Sequence, residues 1–407
     1  MATREDKYAE VLLHNAVGLQ KGQILHIIAP AEDRDFIELL VRHAYQNGAG
    51  YVDVELYDPI IDSIRAEESG RKYLSEYPSY LVNEKIAMLN EKAAQIRFGA
   101  GIIPDSSADS SRLIEMKNGI RSAMIPYNQM SKGKNLINHC SSILPTRFWA
   151  KQVFPEMTEE DAYSAMWDSL LKIGKTDEAN PVEEWNKHVE NILKRRGILN
   201  EKQFKSLHIQ NSRSDFTVEL CPDHFWEGGC EFSVDHIASM PNFPTEEIFC
   251  TMQKTGIEGY VHSSRPFIFE NHIIDDFELV FAKGKIVQAA AGIGQEYLDQ
   301  LLNIEEGTRY CGEIALLAGE TIISRTNTIF KNTLLDENAA CHMAIGCAYM
   351  SNLKTPMRNC REDYEMMNIN YASVHYDFMF GTADTDVTAI DASGNTTPLL
   401  RKGSWCI

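Results

Sequence analysis

Between Tyr8 and Ala100 the chain switches repeatedly between two hydrophobic periods, and this alternation constrains its fold more than any other feature. "YAEVLLHNAVGL" has helical spacing, Gly22 marks a turn, and "QILHIIA" is an apolar run of strand length. A helical "DRDFIELLVRHAYQNGA", a strand "YVDVELY", a helical "YPSYLVNEKIAMLNEKAA" and a strand "QIRFGA" follow. This order of strands and helices predicts a parallel sheet with helices on its faces. Residues 159–204 read as mostly helical and charged, with "GKTDEANPVEEW" as a loop and Pro181 opening the next helix.

From about Leu207 the pattern changes. "SLHIQNSRSDFTVEL" alternates as strands do, and "GIEGYVHSSRPFIFE" and "FELVFAKGKIVQAAAG" read as strands joined through glycine turns. "QEYLDQLLN" and "ENAACHMAIGCAYM" have helical spacing. The expectation is an α/β N-terminal domain with a parallel sheet over residues 1–200, followed by a mixed α+β, β-rich catalytic domain over 201–407.

At 407 residues the chain is too long for one ordinary domain. Its formal net charge of −19 disfavours nucleic acid or an anionic membrane as partner and favours a cationic ligand, such as a free peptide amino terminus. The charged, amphipathic start lacks the apolar run of a secretory signal. No stretch of 18 apolar residues predicts a membrane span. Nine cysteines are scattered without a C-x-x-C pair, which argues against a zinc ribbon and fits a reduced, cytoplasmic setting.

Phosphate loops, the full G-x-G-x-x-G fingerprint, H-E-x-x-H and G-x-S-x-G are all absent. The ligand-type residues that remain lie in four unusual places. Glu246 and Glu247 stand between a proline turn and Ile248-Phe249 in "PNFPTEEIF". Glu313 is the only charge in the apolar "YCGEIALLAG". His342 and Tyr349 are seven apart in "DENAACHMAIGCAY", two helical turns if the segment is a helix. His375 and Asp377 are two apart in "SVHYDFMFG", on one face if it is a strand.

A buried carboxylate must find a cation or take up a proton. Two divalent metal ions would satisfy three carboxylates, two imidazoles and a phenol together, and mixed oxygen and nitrogen ligation suits zinc, cobalt or manganese. Taken singly, each residue has a plainer reading: Glu313 as a surface or capping residue, His342 and Tyr349 as core, and His375 with Asp377 as a hydrogen-bonded pair. Only their joint occurrence points to a metal centre.

"MPNFPTEEIF", "GTRYCGEIALL", "NTLLDENAACHMAIGCAY" and "NYASVHYDFMFG" resemble motifs of the thermophilic metalloaminopeptidases, the aminopeptidase T and aminopeptidase S enzymes of bacteria. "GLQKGQILHIIAPAE" and "AYQNGAGYVDVELYD" extend the resemblance to the N-terminal region. It implies two-metal ligands at Glu247, Glu313, His342, Tyr349, His375 and Asp377. It also implies two zinc, cobalt or magnesium ions, a homodimer, and exopeptidase action on peptides with a free N-terminus, with the domain over residues 1–200 expected to shape access to the site and contribute dimer contacts. Cys341, Tyr376 and Phe380 depart from the commoner serine, valine and isoleucine. Glu246, beside a ligand, is the sequence candidate for proton transfer, and Tyr349 could ligate or donate to an oxyanion. A two-metal phosphoesterase and a degenerate, non-catalytic homologue are the alternatives.

Overall fold

The computed structural model describes residues 2–101, 110–269, 272–355 and 360–407. The chain divides into two compact units, Met1–Lys187 with Cys230–Phe243, and His188–Gly229 with Pro244–Ile407.

In the first unit, β1 (Ile24–Pro30), β2 (Tyr51–Tyr57), β3 (Ala94–Gly99) and β4 (His139–Ile143) pair in parallel in the order β2-β1-β3-β4. The expected parallel sheet is present, with one strand more than the periodicity indicated. β4 reads "HCSSI", too polar to register as an apolar run. The helix Arg34–Gln46 connects β1 to β2 and buries Phe36, Ile37, Leu40 and Ala44, one stripe at helical spacing. Its predecessor Arg4–Val11 begins with a capping box, in which Thr3 and Asp6 satisfy each other's backbone amides. Because β1 is central, the chain turns to one side for β2 and crosses to the other for β3, which places the topological switch point between β1 and β3.

The helix Pro181–Lys202 starts at the predicted proline. The hairpin β5 (Ser206–Gln210) and β6 (Asp215–Leu220) comes next, then the short pair β7 (Glu231–Phe232) and β8 (Ala238–Ser239) within the first unit. The second unit is built on β9 (Ile248–His262), β10 (Phe267–Phe269), β11 (His272–Ala282), β12 (Lys285–Ile293), β13 (Cys311–Leu316), β14 (His342–Gly346), β15 (His375–Met379), β16 (Asp386–Ile390), β17 (Thr396–Arg401) and β18 (Ser404–Trp405). These join β5 and β6 in one antiparallel sheet with the path β15-β14-β13-β9-β6-β5-β16-β17-β18, while β11 branches from β9 and pairs with β10 and β12. The strands expected over 256–269 and 277–292 are found, and Glu270 lies outside the described residues. No helix among the described residues is long and apolar enough to cross a membrane.

One expectation is corrected. The spacing over 337–350 predicts a helix, but Glu337–Ala339 is a single 3-10 turn and His342–Gly346 is strand β14, buried at every residue. A short apolar run carries no polar stripe to distinguish a helix from a strand packed on both faces. Here β13 and β15 supply hydrogen bonds on both sides and decide the matter.

Gly346 closes β14 at φ +109°, and a Cβ there would stand 2.1 Å from the Val374 carbonyl oxygen. Gly394, at φ +84°, has open space around its Cβ position. Gly346→Ala should therefore cost at least about 2 kcal/mol, strain plus a backbone clash, and Gly394→Ala about 1 kcal/mol, strain alone. Thermal melts check this: the drop in Tm should be clearly larger for Gly346→Ala.

Candidate metal centre

Register explains why five ligand-type side chains converge. Residues opposite each other in an antiparallel pair share a face, as do residues two apart. Glu313 of β13 lies opposite Ala344 of β14, and Ala344 lies opposite Asp377 of β15. His342 and His375 sit two residues before Ala344 and Asp377, so they join that face. Glu313 also faces Thr251 of β9, and Glu247 immediately precedes that strand with the matching parity. The methyl group of Ala344 leaves room for the carboxylates on either side.

The ligand atoms form two overlapping triads, Glu247 with Glu313 and His342, and Glu313 with His375 and Asp377. Glu313 belongs to both. His342 Nε2 lies 3.0 Å from Glu247 Oε2 and 3.9 Å from Glu313 Oε1. His375 Nε2 lies 3.3 Å from Asp377 Oδ1 and 3.8 Å from Glu313 Oε2. Yet His342 Nε2, Glu313 Oε2 and Asp377 Oδ1 are all buried with no hydrogen-bond partner among the described residues. The groups are close but not aligned as donor–acceptor pairs; they point towards shared space. Buried polar atoms left so are costly unless something else satisfies them, and a divalent cation fits this set of oxygen and imidazole donors.

Hydrogen bonds on the far ring nitrogens fix both imidazoles. His342 Nδ1 contacts the Ala340 carbonyl at 3.1 Å, and His375 Nδ1 the Cys347 carbonyl at 2.7 Å. Each ring thereby offers Nε2 to the centre, the usual arrangement for a metal-ligating histidine. Electrostatics report how crowded the centre is. Burial pushes Glu313 up to about 8, with His375 and His342 opposing and Asp377 and Glu247 adding to the rise. Burial works against charge on the histidines, but Glu247 and the other carboxylates lift His342 to about 9, and Asp377 and Glu313 lift His375 to about 10. Asp377 is also buried, yet His375 holds it below the usual carboxylate range.

Tyr349 follows β14 rather than riding a helix with His342. Its ring packs 4.5 Å from the His375 ring, and the residue remains 44% exposed. Burial of its hydroxyl, then the fields of Glu313, Asp377, Glu337 and Glu247, hold the phenol well above its ordinary value. Glu246 is placed differently from Glu247. Its Oε1 accepts from the Ile322 amide at 3.2 Å, and its Oε2 lies 3.4 Å from His188 Nε2.

Sequence reasoning passed over Glu337. Its carboxyl is buried and pushed well upward, first by burial and then by Asp377, Glu247, Glu313 and Asp336, so it shares the centre's field. The signal was present in "DENAACH", where two acids precede a ligand-type histidine inside an apolar stretch. Asp336 serves the local fold by accepting the Phe330 and Asn332 amides, each at 3.0 Å. Asn338 accepts the Glu246 amide at 2.7 Å and so ties the Glu246-Glu247 segment to the turn carrying Glu337. Cys341 exchanges hydrogen bonds with both backbone groups of Leu317, and Tyr376 packs on Phe267 and Phe269.

Comparison with known proteins relates the chain to metalloproteases. The family described as thermophilic metalloprotease (M29) matches residues 1–405. Aminopeptidase AmpS of Bacillus subtilis (strain 168) is 33% identical over 400 residues, 98% of this chain and 97% of that protein. Aminopeptidase T of Thermus aquaticus is 31% identical over 415 residues, 99% and 98% of the two. The solved structure of wild-type AmpT from Thermus thermophilus superposes with a TM-score of 0.90 at 29% identity, covering 99% of each chain.

Because Glu313 enters both triads, its loss should be felt most. Glu313→Gln is expected to lower affinity for divalent metal by on the order of a hundredfold, and by more than Glu247→Gln or Asp377→Asn. Metal content per chain after dialysis, read by mass spectrometry, checks the ranking; equal losses in all three would refute a shared position for Glu313.

Proposed function

The chain belongs to the thermophilic metalloprotease (M29) family, and we propose that it is a metal-dependent aminopeptidase that removes N-terminal residues from peptides. The observation that carries this reading is the pair of triads sharing Glu313 on one sheet face. Two divalent ions, zinc, cobalt or magnesium, are proposed to sit there, held by Glu247, Glu313, His342, His375 and Asp377, with Tyr349 at the margin. Bound divalent cations supply Lewis acidity towards the scissile carbonyl and lower the pKa of water at the site.

The chain's own residues supply the rest. Glu337, whose carboxyl lies in the field of Asp377, Glu247 and Glu313, is proposed as the proton-transfer group: as the carboxylate, the form that cations held by those neighbours would favour, it would take the proton from the attacking water and return it to the leaving amine. That placement favours it over Glu246, whose Oε1 accepts from the Ile322 amide and whose Oε2 lies 3.4 Å from His188 Nε2. Tyr349 is proposed to remain a phenol and to donate to the developing oxyanion, since the surrounding carboxylates oppose its ionisation. An anionic centre in a chain of net charge −19 attracts the ammonium group of a peptide terminus. Homodimerisation, which rests on the sequence resemblance, and a cytoplasmic location, which rests on the scattered cysteines, complete the reading.

A phosphoesterase would need cationic side chains to grip its substrate. Arg309, which lies within the motif that carries Glu313, donates to Asn303 Oδ1 at 2.6 Å. A degenerate site is disfavoured because every ligand type is retained.

The test is release of p-nitroaniline from leucyl- and arginyl-p-nitroanilide by chelator-stripped protein, before and after Co²⁺, Zn²⁺ or Mg²⁺ is added. Activity should return with metal on the free-amine substrates and stay absent on their N-acetylated forms. Turnover of acetylated substrates, or of phosphate esters instead, would overturn the reading. Glu337→Gln should lower kcat by about 10²–10⁴-fold with metal retained. Glu246→Gln should lower it far less, and the reverse order would return proton transfer to Glu246.

A further inference from the structure

The first unit contains a cavity of about 550 Å³ that has no part in the metal centre. It opens at the carboxyl edge of the parallel sheet. Glu32 and Asp33 directly follow β1, and Arg147 stands just past β4. Open parallel sheets bind ligands beyond the carboxyl ends of their strands, and the segments that follow β1 and β4 both line this cavity.

The lining has a specific chemistry. Glu5, Glu32, Asp33 and Asp35 contribute four carboxyl groups against the single guanidinium of Arg147. Phe36 and Trp167 form an aromatic wall, with ring centroids 5.1 Å apart at 55°. Arg147 covers the Tyr163 ring at 4.5 Å and pairs with Glu160 and Glu32, so its charge is already engaged. The Trp167 indole is left as the aromatic face for a ligand.

Asp33 supplies an observation independent of the acidic cluster. It occupies the N-cap of the helix Arg34–Gln46, yet its side chain makes no capping bond. It accepts instead from the Tyr163 hydroxyl at 2.5 Å through Oδ1, while Oδ2 has no partner among the described residues. The residue is only 3% exposed and lines the cavity. Burial pushes its carboxyl up to about 7, with Tyr163 opposing. An aspartate at this position would ordinarily cap its helix; giving that up leaves a buried carboxyl oxygen unsatisfied, which a cationic donor would relieve.

We propose that this cavity binds a primary alkylammonium group, its charge at Asp33 and the neighbouring carboxylates and its apolar part against Phe36 and Trp167. Carboxylates with an aromatic wall are the chemistry that selects organic cations. The site is independent of the hydrolytic reading, and its test is read at the cavity itself.

The full-length, metal-loaded protein, labelled with 5-fluorotryptophan, is titrated with phenethylammonium chloride and followed by ¹⁹F resonance. The chain has five tryptophans, and the Trp167 signal is assigned by its loss in Trp167→Phe. Phenethylammonium should shift that signal saturably, while neutral 2-phenylethanol and anionic phenylacetate should not. Asp33→Asn should weaken the response about tenfold or more. Phenylalaninamide distinguishes the source of the ammonium: tighter binding than phenethylammonium assigns the cavity to peptide termini, and weaker binding to simple amines. An unmoved Trp167 signal, an equal response to the alcohol or the acid, or undiminished affinity in Asp33→Asn would overturn the proposal. Should Asp33→Asn lose its native circular dichroism, Trp167→Leu measured by calorimetry replaces it, and unchanged affinity there refutes the site.

Discussion

The second unit depends on a balance of charge around Glu313. Its carboxylate is buried with those of Glu247, Asp377 and Glu337, and water cannot relieve their mutual repulsion. Two imidazoles answer part of it, since the neighbouring carboxylates raise both His342 and His375 and favour their charged forms. A buried group of acids this dense must either take up protons or hold cations among them. Electrostatics and the identity of the side chains therefore both suit the centre to a divalent cation.

The sheet makes that concentration of charge possible. Three neighbouring strands deliver Glu313, His342, His375 and Asp377 to one face, and β9 delivers Glu247 beside them. Backbone ladders on both sides of β14 fix the positions to which each side chain is attached, and the carbonyls of Ala340 and Cys347 fix the rings. Rigid mounting matters because polyvalent coordination tolerates little drift. The 3-10 turn at Glu337 is stitched to the same framework through Asn338 and Asp336.

Much of this was legible in the sequence. Period-two spacing put His375 and Asp377 on one face, and β15 does so. The isolation of Glu313 in an apolar run marked it as unusual, and β13 is buried throughout. His342 was found for the wrong geometric reason: seven-residue spacing suggested a helix shared with Tyr349, whereas His342 opens a strand and Tyr349 follows it. Glu337 escaped because an acid next to Asp336 reads as half of a solvated pair, and only packing shows that both are buried. Asp33 escaped for a related reason, since an aspartate before a helix reads as a cap.

The sequence by itself determined the parallel N-terminal sheet, the β-rich second half and the residue types of a metal centre, because periodicity and isolated charges in apolar runs are local properties. Tertiary structure alone decided that Glu313 belongs to both triads, that Glu337 enters the field of the centre, and that Cys230–Phe243 returns to the first unit. Those outcomes depend on strand register and on which surfaces exclude water. Both are set by residues far apart in the chain, and no local pattern encodes them.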